Sequence, residues 1–499
     1  MKNYITICIA LLSIAFGFAQ SEKELVEATV NKETIKGHIY FLADDLLKGR
    51  ETGTPENKIA ASYLANTLRS YGVKPNPKTG TYYQEVTLQK TSPPKEVSLS
   101  INGTTIKEMV VLKAAKMAQN EQSVYAGYGM EEDYEGQDVK GKIVVIKAGS
   151  KDAKDARAAF GLRSKKEELA KKNGAIGIVE LLNAQDNIWG FISHNFNEPR
   201  LELVELDDKK EMTNSSEFVY IWALDKEHVM AQNLATSRAV IVDVSMVEKN
   251  VKSITSNNVI GVIEGTDPNL KNEYIIYSAH YDHVGIGTPD ETGDAIYNGA
   301  RDNAVGVTTV LSMAENLAKY PTKRSALFIL FTGEEKGLLG SKFYVENPVL
   351  PLNQMVYCFN SDNAGYNDTS LATIIGLPRT TAANHIKNGA KQFGLTAVDD
   401  PAPEQGLFDR SDNVHFAAAG IPAPTFSLGF TAFNGDVTKY YHRPGDEADS
   451  IDYDYMEKFF KAYVASGRAI ANDPATPTWT KGDKYEAASD KLYNKLKKN

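Results

Sequence analysis

Two adjacent carboxylates at the end of an apolar run are costly unless a cation or hydrogen bonds neutralise them. Phe331-Thr332-Gly333-Glu334-Glu335 is such a place, because the preceding run 325–331 reads as a strand. Neighbouring side chains on extended backbone diverge, so one glutamate can bind a cation while the other addresses the water bound to it. Four more segments carry donors of this kind. His280-Tyr281-Asp282 closes the strand-like run 274–278, and its two polar side chains face the same way, so His280 could bind metal while Asp282 orients its imidazole. Asp302 stands in Asn298-Gly299-Ala300-Arg301-Asp302-Asn303, Asp362 in Asn360-Ser361-Asp362, and His442 in Tyr440-Tyr441-His442-Arg443-Pro444-Gly445-Asp446. Singly, each has an ordinary reading: a hydrogen-bonded pair at 280 and 282, a helix N-cap at 302, a turn former at 362. Jointly, His280, His442, Asp302, Glu335 and Asp362, with Glu334 to spare, make the nitrogen-and-oxygen set suited to zinc. A bridging carboxylate would make a two-metal site, its ions about 3.5 to 4 Å apart, natural. His38, His194, His228, His283, His385 and His415 lack companion acids in such a pattern and are expected to be structural or surface residues.

These donors need a scaffold, and from about residue 255 onward apolar strands alternate with helices. The pattern predicts strands at 274–278, 325–331 and 355–359 and helices at 303–320 and 338–345. That alternation argues for an α/β fold with a mainly parallel central sheet flanked by helices, in which ligands gather outside the carboxyl ends of the strands. Upstream, Ile59, Tyr63, Leu64 and Leu68 at helical spacing predict an amphipathic helix over 57–71, stopped by Gly72. Between 105 and 250 short β-branched runs alternate with turns and a Lys/Glu-rich helix at 165–173, which reads as an inserted β-rich domain. The expected organisation is therefore a leader at 1–19, the first part of the main domain at 20–104, the insert at 105–250, and the rest of the main domain at 251–499. The polar, lysine-rich tail after Pro474 reads as a solvated face.

With 55 basic and 64 acidic residues the formal net charge is −9, which disfavours a nucleic-acid partner. Lys2, the apolar run 5–18 and the small residues around Ala19 are the pattern of an export signal, too short to be a spanning helix. An exported protein, periplasmic or secreted and without a stable membrane anchor, is expected. Once the leader is gone only Cys358 remains, so no intramolecular disulfide is available.

Together the five donor segments resemble metallopeptidase family 28, the two-zinc aminopeptidases related to bacterial leucine aminopeptidases and glutamate carboxypeptidases. The stretch from Phe41 to Gly53 is similar to that family's entry segment. Tyr125-Ala126-Gly127-Tyr128-Gly129, the run from Asp138 to Val145 and that from Leu169 to Ala175 are similar to a protease-associated (PA) domain. The resemblance implies a zinc exopeptidase fold. It also implies that His280 and Asp362 bind one zinc, that Glu335 and His442 bind the other, and that Asp302 bridges them. Glu334 becomes the general base for a zinc-bridged hydroxide, Tyr441 the donor to the oxyanion, and Asp282 and Asp446 the acids supporting the ligands. Arg301, Gly306 and the Ser411-Asp412-Asn413 triplet depart from the family's pattern; Arg301, Arg410 and Asn413 are candidates for the substrate rim. The expected activity is hydrolysis of N-terminal residues from peptides, because a free α-amine is drawn to a carboxylate-rich pocket. Two rivals stay open: a carboxypeptidase or dipeptidase of the same fold, which would need cations for the substrate carboxylate, and a non-catalytic peptide-binding relative.

Overall fold

The computed structural model describes residues 20–115, 117–153, 156–197, 199–204, 218–247 and 250–494; the expected leader at 1–19 lies outside the described residues. The chain forms two compact units. One runs up to Val86 and resumes at Ser256; the other is Thr87–Thr255, wider at both ends than the expected insert at 105–250.

The first unit is built on a mixed, mainly parallel sheet. Of the ten strands in this sheet, those that concern the site are, in chain order, β1 (Asn250–Ile263), β2 (Tyr274–His280), β3 (Ser325–Phe331), β4 (Met355–Ser361), β5 (Leu371–Ile375), β6 (Thr396–Asp399) and β7 (Thr425–Leu428), arranged in space as β6-β5-β7-β4-β2-β3-β1. β2 runs parallel to both β3 and β4, β4 is parallel to β7, and β1 is antiparallel to β3. The helices that matter below are α1 (Lys32–Leu42), α2 (Pro55–Ser70), α3 (Gly306–Lys319), α4 (Leu339–Glu346) and α5 (Tyr453–Asn472).

The unbroken apolar runs of β2 and β3 follow from burial on both faces. Ala326, Phe328 and Leu330 pack into the core shared with α1, α2, α3 and α5. Their alternates Leu327, Ile329 and Phe331 pack into a second core with Tyr344 of α4 and Phe416. α2 starts from Thr54, whose hydroxyl accepts the Asn57 amide, with Pro55 at the first helical position, and the chain turns away at Gly72, where φ is +82°. The tail is not simply a solvated face: Trp479 is buried and donates to the Gly420 carbonyl, and Tyr493 donates to that of Met355.

The inserted unit holds an eight-stranded sheet and, besides the lysine-rich helix, further helices that the β-rich reading did not include. Ile143–Lys147, Gly177–Leu182 and Val219–Leu224 run parallel, and helices Ala156–Lys172 and Asp186–Asn197 accompany them. The reason is again two-sided burial. Val144, Ile146 and Ile178 belong to one apolar core, Val145, Val179 and Leu181 to another, and a parallel sheet buried in this way needs cover on both faces.

Candidate metal centre

Because β3, β2 and β4 are parallel neighbours, their carboxyl ends lie side by side, and each delivers donors there. His280 is the last residue of β2, Glu334 and Glu335 follow β3, and Asp362 follows β4. Asp302 comes from the irregular turn before α3; it sits three residues ahead of that helix's N-cap, Val305, so the capping reading does not apply. His442 stands in the loop before α5 with φ of +50°, in the left-handed region that few residues other than glycine adopt and that often marks a functional position.

The side chains form two sets that share one carboxylate. His280 Nε2 lies 3.3 Å from Asp302 Oδ1 and 3.2 Å from Asp362 Oδ1. His442 Nε2 lies 3.2 Å from Asp302 Oδ2 and 3.1 Å from Glu335 Oε2. Ligand atoms about 2.0 to 2.1 Å from a tetrahedral zinc stand about 3.3 Å from one another, so both sets have the spacing of a zinc coordination edge. Donor chemistry and spacing therefore fit zinc. Glu334, His280 and Glu335 also bring donor atoms within 4.8 Å of one another, which puts Glu334 beside the sets without needing it as a ligand.

The supporting residues fix backbone more than side chains. Asp282 accepts from the Thr52 hydroxyl at 2.8 Å and from the amides of Glu334 and Glu335 at 3.2 and 3.4 Å. It is the carbonyl of Asp282, at 3.1 Å, that meets His280 Nδ1; the carboxylate is 3.9 Å away. Asp446 takes the amides of Arg301 and Asp302 at 3.0 and 3.1 Å and so holds the turn that presents Asp302. Arg50, fully buried, donates to the carbonyls of Tyr281 at 2.8 Å and Gly299 at 3.0 Å, joining two ligand-bearing loops. Burial lowers its pKa to about 10 against the pull of Asp282 and Asp302. Gly306 lets α3 approach β4: a Cβ there would meet Asn303 Oδ1 at 2.2 Å and the Ser361 carbonyl at 2.5 Å.

Buried together, these groups shift one another strongly. Burial raises Glu334 well above the usual carboxylate range; the charges of Asp362 and Glu335 add to this and His280 opposes it. Burial alone would raise Glu335, but hydrogen bonds from His283 and His442 outweigh it and hold the carboxyl at about 2. Burial works against the charged form of His442, yet its bonds to Asp302 and Glu335 lift it to about 10. Asp412, from the Ser411-Asp412-Asn413 triplet and given no role by the sequence, is buried, and burial pushes it up to about 7, with His280 opposing the shift.

Three expectations need correction. Arg301 does not line the substrate pocket: it is buried, donates to Asp446 Oδ1 at 3.0 Å and Ser450 Oγ at 2.8 Å, and lies 3.8 Å over the Tyr440 ring. Asn413 is buried as well, its amide on the Ala423 carbonyl at 3.0 Å. Arg410 alone of the three rim candidates lines the pocket, with Tyr441, Ser411 and the apolar Ile375, Leu407, Phe430 and Phe433. His283, expected to be structural or at the surface, is buried with Nδ1 2.7 Å from Glu335 Oε1. Its acid comes from another strand end, and only its place directly after Asp282 could have signalled it.

Known proteins resemble this chain in sequence and in fold. A model described as Peptidase family M28 matches residues 258–466. The aminopeptidase YwaD of Bacillus subtilis (strain 168) is 26% identical over 375 residues, covering 73% of this chain and 70% of its own. A probable leucine aminopeptidase 2 of Aspergillus fumigatus is 24% identical over 259 residues, 46% of this chain and 46% of its own. Among solved structures, the aminopeptidase from Aneurinibacillus sp. strain AM-1 shares the fold with a TM-score of 0.58 at 23% identity, over 91% of this chain and 97% of its own. A zinc aminopeptidase from Bacillus subtilis does so with a TM-score of 0.52 at 20% identity, over 89% and 97%.

Proposed function

We propose, from the match of residues 258–466 to a model described as Peptidase family M28 and from the donor sets above, that the chain is a zinc-dependent, exported aminopeptidase that removes N-terminal residues from peptides at a pair of zinc ions. The observation that carries the pair is Asp302, whose two oxygens fall into different donor sets. His280 and Asp362 would hold one ion, His442 and Glu335 the other, with Asp302 between them. When bound, the ions make a water acidic enough to act near neutral pH and polarise the scissile carbonyl.

The chain's own groups do the rest. Glu334, pinned through its amide to Asp282 and raised in pKa by burial, takes a proton from the attacking water and returns it to the leaving amine. Tyr441 stacks on His442 at 4.0 Å, and its oxygen accepts from Arg410 Nη2 at 3.4 Å, which leaves its own O–H free to donate to the developing oxyanion. Burial raises the Tyr441 pKa and keeps that proton in place. The carboxylate-rich wall favours a free α-ammonium, and Ile375, Leu407, Phe430 and Phe433 offer an apolar slot for the side chain beside it. A carboxypeptidase or dipeptidase would need cations for the substrate carboxylate; with Arg301 turned inward, only Arg410 among the lysines and arginines of the described residues lines the pocket. Export rests on the leader-like run at 5–18, and the reading of the insert as a PA domain on the segments around Tyr125, Asp138 and Leu169.

The test is hydrolysis of aminoacyl-p-nitroanilides and matched N-acetylated peptides, with zinc content measured on the same protein. About two zinc ions per chain and turnover confined to free amines are expected. Equal cleavage of acetylated peptides would remove the aminopeptidase reading, and cleavage that requires a free C-terminus would replace it with the carboxypeptidase one.

A further inference from the structure

We propose that His283 is a positioning residue for Glu335, a role that rests on the two-zinc reading above. Its Nδ1 faces Glu335 Oε1 at 2.7 Å, the distance of a charge-assisted hydrogen bond and well inside the roughly 3.3 Å edge of a zinc tetrahedron. The same nitrogen is 4.0 Å from Asp302 Oδ1, longer than that edge, although His283, Asp302, Glu335 and His442 do bring donor atoms within 4.8 Å of one another. The carboxylate is thus divided: Oε1 is taken by His283, and Oε2 is left 3.1 Å from His442 Nε2, facing the set that includes Asp302 Oδ2. Glu335 is thereby offered to the metal through one oxygen only.

The surroundings hold the imidazole in that single pose. His283 is fully buried, its ring lies edge to face with that of His442 at 5.4 Å and 75°, and a Cβ on Gly299 would come within 2.6 Å of its ring carbons. Gly299, at φ +63°, is therefore required both by the turn and by the ring packed against it. Nε2 is buried with no hydrogen-bond partner among the described residues. A position kept only for packing would be served as well by an apolar side chain, without an orphaned nitrogen. What distinguishes histidine here is Nδ1–H, whose proton the carboxylate partner fixes on that nitrogen. A carboxylate bound through one oxygen and hydrogen-bonded through the other is held in a defined orientation, and removing such a partner typically costs about 10- to 100-fold in metal affinity or activity.

The decisive comparison is His283→Asn against His283→Gln. The amide nitrogen of asparagine falls where Nδ1 stands and keeps the donor; that of glutamine reaches towards the Nε2 position and loses it. Zinc affinity is read by chelator competition, the ligand field by the visible absorption of the cobalt-substituted protein, and folding by circular dichroism. His283→Asn is expected to stay within a few-fold of wild type. His283→Gln should fold, hold one zinc as tightly as wild type, and bind the other about 10- to 100-fold more weakly with an altered cobalt spectrum. Equal zinc affinities and equal cobalt spectra for the two variants would overturn the role of His283, whether both match wild type or both are impaired. A wild-type protein that takes up only one zinc would instead overturn the two-zinc reading, a result seen before any variant is made.

Discussion

Both compact units bury ionised groups, and they do so in opposite ways. In the insert, Lys166 and Glu180 are both fully buried and answer each other: Lys166 Nζ meets Glu180 Oε1 at 2.5 Å and the Lys147 carbonyl at 2.8 Å. The second oxygen, Oε2, accepts from Tyr220 Oη and Trp222 Nε1, each at 2.6 Å. Every strong donor and acceptor there has a partner from the chain itself. At the carboxyl ends of β2, β3 and β4 the acids face one another, and Glu334 and Asp412 are both driven up in pKa by burial. A self-balanced cluster is complete without a ligand, and becomes costly when one partner is removed. An unbalanced one is retained because something from outside completes it, and its cost is met by the rest of the fold.

The comparison yields opposite expectations for removing a charge. Glu334→Gln takes a like charge out of the crowded site and leaves the ligand sets alone, so zinc content and thermal stability should equal or exceed wild type. Turnover should fall by about 10³-fold, the scale of a lost general base. Steady-state kinetics and metal analysis on one preparation check this. A variant that lost its zinc along with its activity would make Glu334 a ligand, and the contrast between the units would have to be redrawn.

Lys166→Met should do the reverse. Removing one partner of a buried pair leaves Glu180 charged and uncompensated, at a cost of about 3 to 5 kcal/mol to the inserted unit. Hydrogen exchange at the amides of Ile143–Lys147 and Gly177–Leu182 would show the loss, while turnover per folded molecule stays near wild type. Adding Glu180→Gln should recover part of the stability, since the amide oxygen can still accept from Tyr220 and Trp222. Unchanged exchange in the single variant would mean that the pair is not what holds those strands.

How much of this contrast was legible in sequence depended on how far apart the partners lie. The run 325–331 matched β3 residue for residue, and helix 57–71 appeared as Pro55–Ser70, because periodicity and caps are local signals. The parallel strand order followed from alternation of element types, and with it the gathering of His280, Glu335 and Asp362. What local pattern could not carry was direction across the fold. Arg301 carries the same charge whether it faces substrate or Asp446, and nothing near it in sequence says which. His283 was set aside for want of a nearby acid, yet its acid is Glu335, brought over by the parallel pairing of β2 with β3. Arg50 lay inside a recognisable segment, but its work, bonding the carbonyls of Tyr281 and Gly299, is visible only once those loops meet. The reach of the insert from Thr87 to Thr255 was likewise hidden, since its boundaries fall within strand-forming sequence.

His38 offers a third way of burying a titratable group and the smallest of the effects. It lies in α1 between two neutral partners, with Nδ1 2.7 Å from Tyr63 Oη and Nε2 2.9 Å from Tyr71 Oη. Burial lowers its pKa from 6.5 to about 4, so the imidazole is kept neutral, whereas the acids facing His442 lift that histidine to about 10. The unfolded chain binds a proton between about pH 6.5 and 4 that the folded chain refuses. The stabilisation is therefore complete above pH 6.5 and is lost as pH falls towards 4, by up to about 3 kcal/mol. His38→Gln keeps hydrogen-bonding capacity without a titrating group, so the variant should gain on wild type steadily over that interval. Urea unfolding of both proteins at pH 7 and pH 4.5 reads the gap; one that stayed constant would place His38 among groups that titrate alike in both states, and would leave the acid sensitivity of the fold to the carboxylate-rich site alone.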